Sequence, residues 1–434
     1  MKILVVSSHE QQFGGGEGRM SFEFAVELSK RHKVTLVFPG TDAGTLPGGA
    51  SLAVYPIRSI DYTLPAMSGG EIHALFRFLD SFRPDVIHSH TPWFLGAMVQ
   101  LWAFRNGIPF YFTAHELPSK ILGWGMIRYM RGVLQNSFMQ RLTSTYLVSF
   151  FRHCTGVVAL NTAAAEDIRG IGYRGRLHII PNGRTLSLYD GKAPTPINRM
   201  EKILTFVGDV IPRKNQKYLV SVMRCLPADY RLLLIGHDVD HRYRRQIDTS
   251  MDPALRGRVI FTGRLEHERV PAHLARTSLW VSASLREVQS LAVMEALASG
   301  TPVLGLANET IDQLVDDRVG RRLARDATPE QFARAVRELC ETGDQSYQRM
   351  CSAARERVRL FDWAHNMDLT ERMYALSGGR KGSTRRGTLA IPLLLAVAQM
   401  LLSMLFLRIL RLRTLFEPRR PRRRARAGTA SARA

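Results

Sequence analysis

Short apolar runs alternate with helix-length segments along this chain, and the alternation starts afresh near its middle. ILVVSS, a Gly-rich loop, GRMSFEFAVELSKR and KVTLVFP read as strand, helix and strand. DVIHSH, a helix from about Pro92 to Arg105 and FYFTAHE repeat the unit, and VVALN and LHIIPNG close the half. Strands separated by whole helices pair in parallel, and the crossover helices then cover both faces of the sheet. GKAPTPIN, from Gly191 to Asn198, is rich in Pro and small residues and marks a boundary. Beyond it ILTFVGD, a helix near Gln216–Leu226, RLLLIGHD, VIFTG, LWVSA and PVLGL restart the pattern. The expected fold class is therefore α/β, with two facing Rossmann-like domains over 1–190 and 199–360. Ligands are expected where the strands end. A helix over Asp362–Ala375 ends the globular part, followed by the basic linker GGRKGSTRRG.

Other features agree with this outline. A chain of 434 residues is too long for one ordinary core, and 45% apolar content supports folded domains. The four cysteines, Cys154, Cys225, Cys340 and Cys351, are scattered and form no C-x-x-C pair, so neither a disulfide framework nor a metal site is implied. MKILVVSSHE is too short in its apolar run for a signal peptide and reads as a first strand.

One residue is chemically out of place. Glu295 lies in SLAVMEALAS, a helical run whose other residues are apolar or small. A helix apolar all round is buried, and a buried carboxylate needs neutralisation or specific hydrogen bonds. Glu287 stands eight residues earlier, in the loop that leads into this helix, and Gly300 supplies the stop. Carboxylates bracketing a helix N-terminus, whose free N–H groups favour anions, make a site suited to a sugar and a phosphate together.

The pieces FGGGEGR, HSHTPWFLG, IPFYFTAHELP, IIPNG, FVGDVIPRKNQ, VIFTGRL and the E-x7-E segment of SLREVQSLAVMEALASGTPV stand in the order seen in glycosyltransferase family 4. On these motifs the chain resembles that family over about residues 1–376, which implies the two-domain GT-B fold. FDW…MY resembles the family's final helix, so 361–376 would cross back to the N-terminal domain. The resemblance implies a nucleotide diphosphate sugar as co-substrate, retaining transfer, and neither a cofactor nor a metal. Glu295 would accept hydrogen bonds from the donor's ribose hydroxyls, and Glu287 would lie near the transferred sugar. The amides around Val288, Gln289, Ser290 and Leu291 would face the diphosphate. Arg213 and Lys214 would stabilise charge on the leaving group, His115 would line the sugar pocket, and Gly263 and Arg264 would border the base. Gly14, Gly15 and Gly16 would form a loop close to acceptor or phosphate. His88 and His90 read as structural. Two departures stand out: Gln289–Ser290 replaces a frequent Phe-Gly, and Arg184–Thr185 stands where an aspartate usually follows PNG. Gln289 in E-x-Q resembles members that glycosylate lipids. The departing diphosphate could itself assist deprotonation of the acceptor, because the motifs supply no obvious protein base.

The formal charge of +22 is concentrated at one end: 380–434 holds 14 Lys or Arg against Glu417 alone. Inside it 388–407, TLAIPLLLAVAQMLLSMLFL, is an uncharged apolar stretch of 20 residues, enough for a helix to cross a core of roughly 30 Å. Polybasic 408–434 follows. Exporting it would oppose the positive-inside tendency, so a spanning and an in-plane segment both remain open. A basic tail could bind nucleic acid, but the adjacent apolar segment makes lipid the better partner, and no nucleic acid is expected. Between Leu117 and His153 five basic residues and no acid mix with Trp124, Tyr129, Phe138, Tyr146, Phe150 and Phe151. They form either an interface with an anionic leaflet or a packed helical pair. The expected protein is a hexosyltransferase on the cytoplasmic side of the cell membrane, acting on a membrane lipid or lipid-linked glycan. The same chemistry on a soluble or growing polysaccharide, and a catalytically silent GT-B scaffold, are the alternatives.

Overall fold

The computed structural model describes residues 1–7, 15–40, 52–57, 67–123, 137–189 and 201–376. Gly14 and the segments 388–407 and 408–434 lie outside the described residues, as do Trp124, Tyr129 and the side chain of Phe138.

The first sheet is built from β1 (Lys2–Val6), β2 (Lys33–Pro39), β3 (Leu52–Ile57), β4 (Val86–Ser89), β5 (Phe110–Ala114), β6 (Gly156–Ala159) and β7 (Leu177–Ile179). Their order is β3-β2-β1-β4-β5-β6-β7, and every pair is parallel. The helices between them are α1 (Gly15–Ser29), α2 (Gly69–Phe82), α3 (Phe94–Asn106), α4 (Ser137–Arg152) and α5 (Thr162–Gly170). Successive residues of β1 serve opposite faces: Leu4 and Val6 enter one core cluster, Ile3 and Val5 the other. That is why central parallel strands read as continuous apolar runs.

The second sheet repeats the design with β8 (Lys202–Val207), β9 (Tyr230–Ile235), β10 (Val259–Gly263), β11 (Leu279–Ser282), β12 (Val303–Leu306) and β13 (Gly320–Leu323), in the order β10-β9-β8-β11-β12-β13. With it go α6 (Gln216–Met223), α7 (His241–Ser250), α8 (Val270–Leu274), α9 (Leu291–Ala298), α10 (Glu309–Leu314), α11 (Pro329–Cys340) and α12 (Asp344–Val358). Strand order reverses direction at β1/β4 and at β8/β11, and the crevice beyond such a switch point is where open α/β sheets bind ligands.

The last described helix, α13 (Trp363–Ala375), returns to the first sheet. Asp362 caps it by accepting from Ala364 N at 2.9 Å. Trp363, Met367, Met373 and Tyr374 then join the core cluster of Ile3, Val5 and Tyr111. The approach is close at Gly183, where a Cβ would run into the Trp363 indole.

Two strands were invisible to pattern. β3 contains Pro56 and β13 reads GRRL, and both lie at sheet edges, where a strand need not be apolar. The basic aromatic stretch also resolves in part. Tyr146, Phe150 and Phe151 are buried in the core under β5, while Arg141 and Arg152 face solvent. These three aromatics pack into the core and form no lipid-facing surface. Among the described residues no helix is long and apolar enough to cross a membrane.

Candidate active site between the two sheets

The loop from β11 to α9 is pinned against the first domain. Asn161 Nδ2 donates to Val288 O at 2.6 Å, Asn182 N donates to Gln289 Oε1 at 2.6 Å, and Gln289 Nε2 donates to Leu160 O at 3.3 Å. The side chain of Gln289, expected beside the donor, thus joins the two domains. Of the amides expected to face a diphosphate, Ser290 N donates to Thr310 Oγ1 at 2.9 Å. Leu291 opens α9, an eight-residue helix. Gly300 ends that helix at φ +76°, a left-handed setting that favours glycine.

Glu287 and Glu295 are both buried, at 8% and 4% exposure, and each has cationic partners. Lys214 Nζ donates to Glu287 Oε1, and Arg213 Nη1 lies 3.5 Å from Oε2. Both cations come from the turn Pro212–Lys214 after β8, and the turn ends at Asn215 with φ +54°. Glu287 N meets Glu309 Oε2 at 3.3 Å, and Glu309 Oε1 accepts from Lys120 of the first domain at 3.2 Å. Glu287, Arg213 and Lys214, all singled out from sequence, therefore form one cluster.

Glu295 brings a correction. Its burial is not left for a ligand to compensate: Arg184 Nη2 donates to its Oε1, and Arg19 Nη1 lies 3.7 Å from the same oxygen. Arg184 is itself 3% exposed and also donates through Nη1 to Glu23 Oε2 at 2.6 Å. Arg19 bonds Glu23 Oε1 at 2.7 Å and approaches His267 Nε2 at 2.6 Å. Burial opposes ionisation of Glu23, but Arg184 and Arg19 outweigh it and hold its carboxyl below the usual range. For Arg184 burial is likewise outweighed, by Glu295 and then Glu23, so its guanidinium is held charged. Sequence reading missed Arg184, Arg19 and Glu23 as site residues. The available signal was the departure at 184 itself, a cation set after PNG in a chain with an orphan carboxylate.

The histidines stack at the ends of β4 and β5. His90 lies between the other two, with ring centroids 5.0 Å from His88 and 5.0 Å from His115. His90 Nδ1 and His115 Nε2 share a hydrogen bond at 2.7 Å, and His88 contacts Tyr374 Oη at 2.6 Å and Thr113 Oγ1 at 2.7 Å. Burial brings His88 down to about 3 and His115 to about 4, so all three rings, His90 included, are neutral near pH 7. His115 faces a recess with Pro92, Trp93, Glu116 and Leu147. Gly263 ends β10 at φ +72°, with Arg264 exposed beside it. Gly15 and Gly16 open α1.

Two parallel Rossmann-type sheets facing each other, with a last helix returning to the first, are the architecture of the GT-B class of glycosyltransferases. Residues 14–188 match the profile of Glycosyltransferase Family 4 and residues 191–357 that of Glycosyl transferases group 1. The chain belongs to glycosyltransferase family 4. It is 23% identical over 253 residues to alpha-monoglucosyldiacylglycerol synthase from Streptococcus pneumoniae, covering 55% of each chain. It thus spans about half the length of that curated relative. It is also 23% identical over 375 residues to a GDP-mannose-dependent alpha-(1-6)-phosphatidylinositol dimannoside mannosyltransferase from Mycobacterium tuberculosis, covering 82% of this chain and 90% of the relative. Sucrose-phosphate synthase from Thermosynechococcus elongatus shares the fold, with TM-score 0.72 at 19% identity, over 88% of this chain and all of that one.

Proposed function

We propose that this protein transfers a hexose, with retention, from a nucleotide diphosphate sugar to a hydroxyl of a membrane lipid or lipid-linked glycan. The observation that carries the reading is Glu287 clasped by Arg213 and Lys214 at the switch point of the second sheet. Cations so placed can move onto a diphosphate and stabilise the charge that grows on it as the bond from the anomeric carbon to phosphate oxygen breaks. Their charge takes the place of a divalent ion, so we assign no metal to the reaction. The acceptor oxygen forms the new bond on the same face, and its proton passes to the departing phosphate oxygen. Glu287 then orients the transferred sugar, neutral His115 lines its pocket, and Glu295 meets the ribose with Oε2, the oxygen that Arg184 leaves open. The lipid part of the proposal draws on two relatives named for glycosylating diacylglycerol and phosphatidylinositol dimannoside. It also draws on the apolar, polybasic segment 388–434, which we assign to the cytoplasmic face of the membrane.

The test incubates purified full-length protein with UDP- and GDP-sugars and a lipid extract, with mass analysis of products. A hexosylated lipid is expected. Sugar transferred only to soluble glycan would replace the acceptor assignment, and a protein that neither binds nor hydrolyses any donor would defeat the enzyme reading.

A further inference from the structure

Two structural features meet at Arg184. Its backbone is stitched to the crossing that carries the chain back to the first sheet: Arg184 N donates to Phe361 O at 2.7 Å, Trp363 N donates to Arg184 O at 3.3 Å, and Arg184 bridges Asp362 in parallel. Its side chain forks across the cleft, with Nη2 on Glu295 of α9 and Nη1 on Glu23 of α1. The two carboxylates thus come from opposite sheet domains. A guanidinium this deeply buried keeps both partners only while α1 and α9 stay close, and one left unpaired in the interior is strongly unfavourable. Arg19 closes the arrangement from α1 by bonding Glu23 and approaching His267 of the second domain.

We propose that Arg184 is a positioning residue that makes the setting of the interdomain crossing and the readiness of Glu295 a single equilibrium. This rests on the reading of Glu295 as the carboxylate that meets the donor. With the domains together, the fork holds Glu295 by Oε1, and Oε2 would meet the donor. With the domains apart, Arg184 keeps only the carboxylate of its own side, and Glu295 loses its orientation. A donor that binds the first arrangement better than the second shifts the population toward it by that difference in affinity and no more. Glu23 has no place at the donor in this scheme, so its substitution reports the coupling alone.

The experiment uses full-length protein carrying fluorophores on α2 and α11. Single-molecule energy transfer is recorded without ligand and with UDP or GDP, alongside calorimetric affinities and donor KM and kcat. Arg184→Gln should broaden the unliganded interdomain distances and weaken nucleotide binding, by about 5- to 150-fold for a coupling of ordinary size. Glu23→Gln removes the one partner that Arg184 keeps with the domains apart, so it should narrow the unliganded distances and leave nucleotide bound at least as tightly as by wild type. Glu23 is partly exposed, at 22% of its side chain, so its variant keeps the test decisive should Arg184→Gln fail to fold. Unliganded distances in Glu23→Gln as broad as in wild type, or broader, would overturn the inference, as would broadened distances with unchanged nucleotide affinity in Arg184→Gln. A wild type that binds neither nucleotide defeats the donor reading instead. The unliganded distances, which need no nucleotide, tell that failure from this one.

Discussion

At the scale of single residues, Glu295 shows how a buried charge is kept. A carboxylate at 4% exposure in an otherwise apolar helix would be neutralised or expelled if it stood alone. Arg184 removes that conflict with a charge-assisted bond from a guanidinium just as deeply buried. The pair is then sensitive to losing either member, more than to losing both. Glu295→Ala leaves Arg184 with Glu23 as its remaining partner, so its cost should fall near the low end for a broken buried pair, about 3 kcal/mol. Urea unfolding of the full chain checks this. Replacing both residues, Arg184→Met with Glu295→Leu, should restore part of the loss, because two apolar side chains leave no stranded charge between them. Donor binding should stay weak in the double variant all the same. A Glu295→Ala protein as stable as wild type would show that Arg184 needs no second carboxylate.

At the scale of elements, strand ends decide which side chains meet. β4 and β5 end side by side: His88 and His90, two residues apart at the end of β4, share one face, His115 follows β5, and the three rings stack. All three rings have their proton affinity lowered by burial, to about 3 for His88 and about 4 for His115. In the unfolded chain they take up protons near pH 6.5. The folded state then binds fewer protons than the unfolded one, so stability is fully present above about pH 6.5 and declines as pH falls below it. Each buried histidine contributes up to about 1.4 kcal/mol per pH unit to the decline. Thermal unfolding from pH 7.5 to 5 should show this slope, and His88→Gln should flatten it. An unchanged slope would mean that these rings protonate in place. Elements also set how much was legible beforehand. Central strands such as ILVVSS and LWVSA announce themselves because both faces are buried, whereas edge strands β3 and β13 carry a proline and arginines. Glu287, Arg213 and Lys214 could be picked out because they stand in the segments that resemble the family's motifs, SLREVQSLAVMEALASGTPV and FVGDVIPRKNQ. The partnership of Arg184 with Glu295 and Glu23 could not, because those pairs lie 111 and 161 residues apart and local pattern carries no trace of them.

At the scale of the whole molecule, the proposed lipid acceptor would require the cleft to be held at a membrane, and the charge distribution suggests by what. The described domains carry a modest basic excess, whereas 380–434 holds 14 basic residues and one acid around the 20-residue apolar stretch. Two forces act through such a tail and respond differently to salt. Attraction of arginines to anionic lipid falls away when the screening length shrinks to about 3 Å near 1 M salt. Burial of an apolar segment does not weaken and is strengthened by salting-out ions. If 388–407 enters the bilayer, full-length protein should remain on anionic vesicles at about 1 M salt, a condition that strips a purely polybasic anchor. Removing 408–434 should lower affinity at low salt while leaving this salt-resistant fraction. Removing 380–434 should abolish both, and it should leave the fold intact, since α13 ends at Ala375. The truncated enzyme should still hydrolyse donor slowly while losing transfer to vesicle-borne acceptor. Vesicle flotation across a salt series separates these outcomes. A 1–379 chain that floats as well as the full protein would move the anchor from the tail to the folded domains.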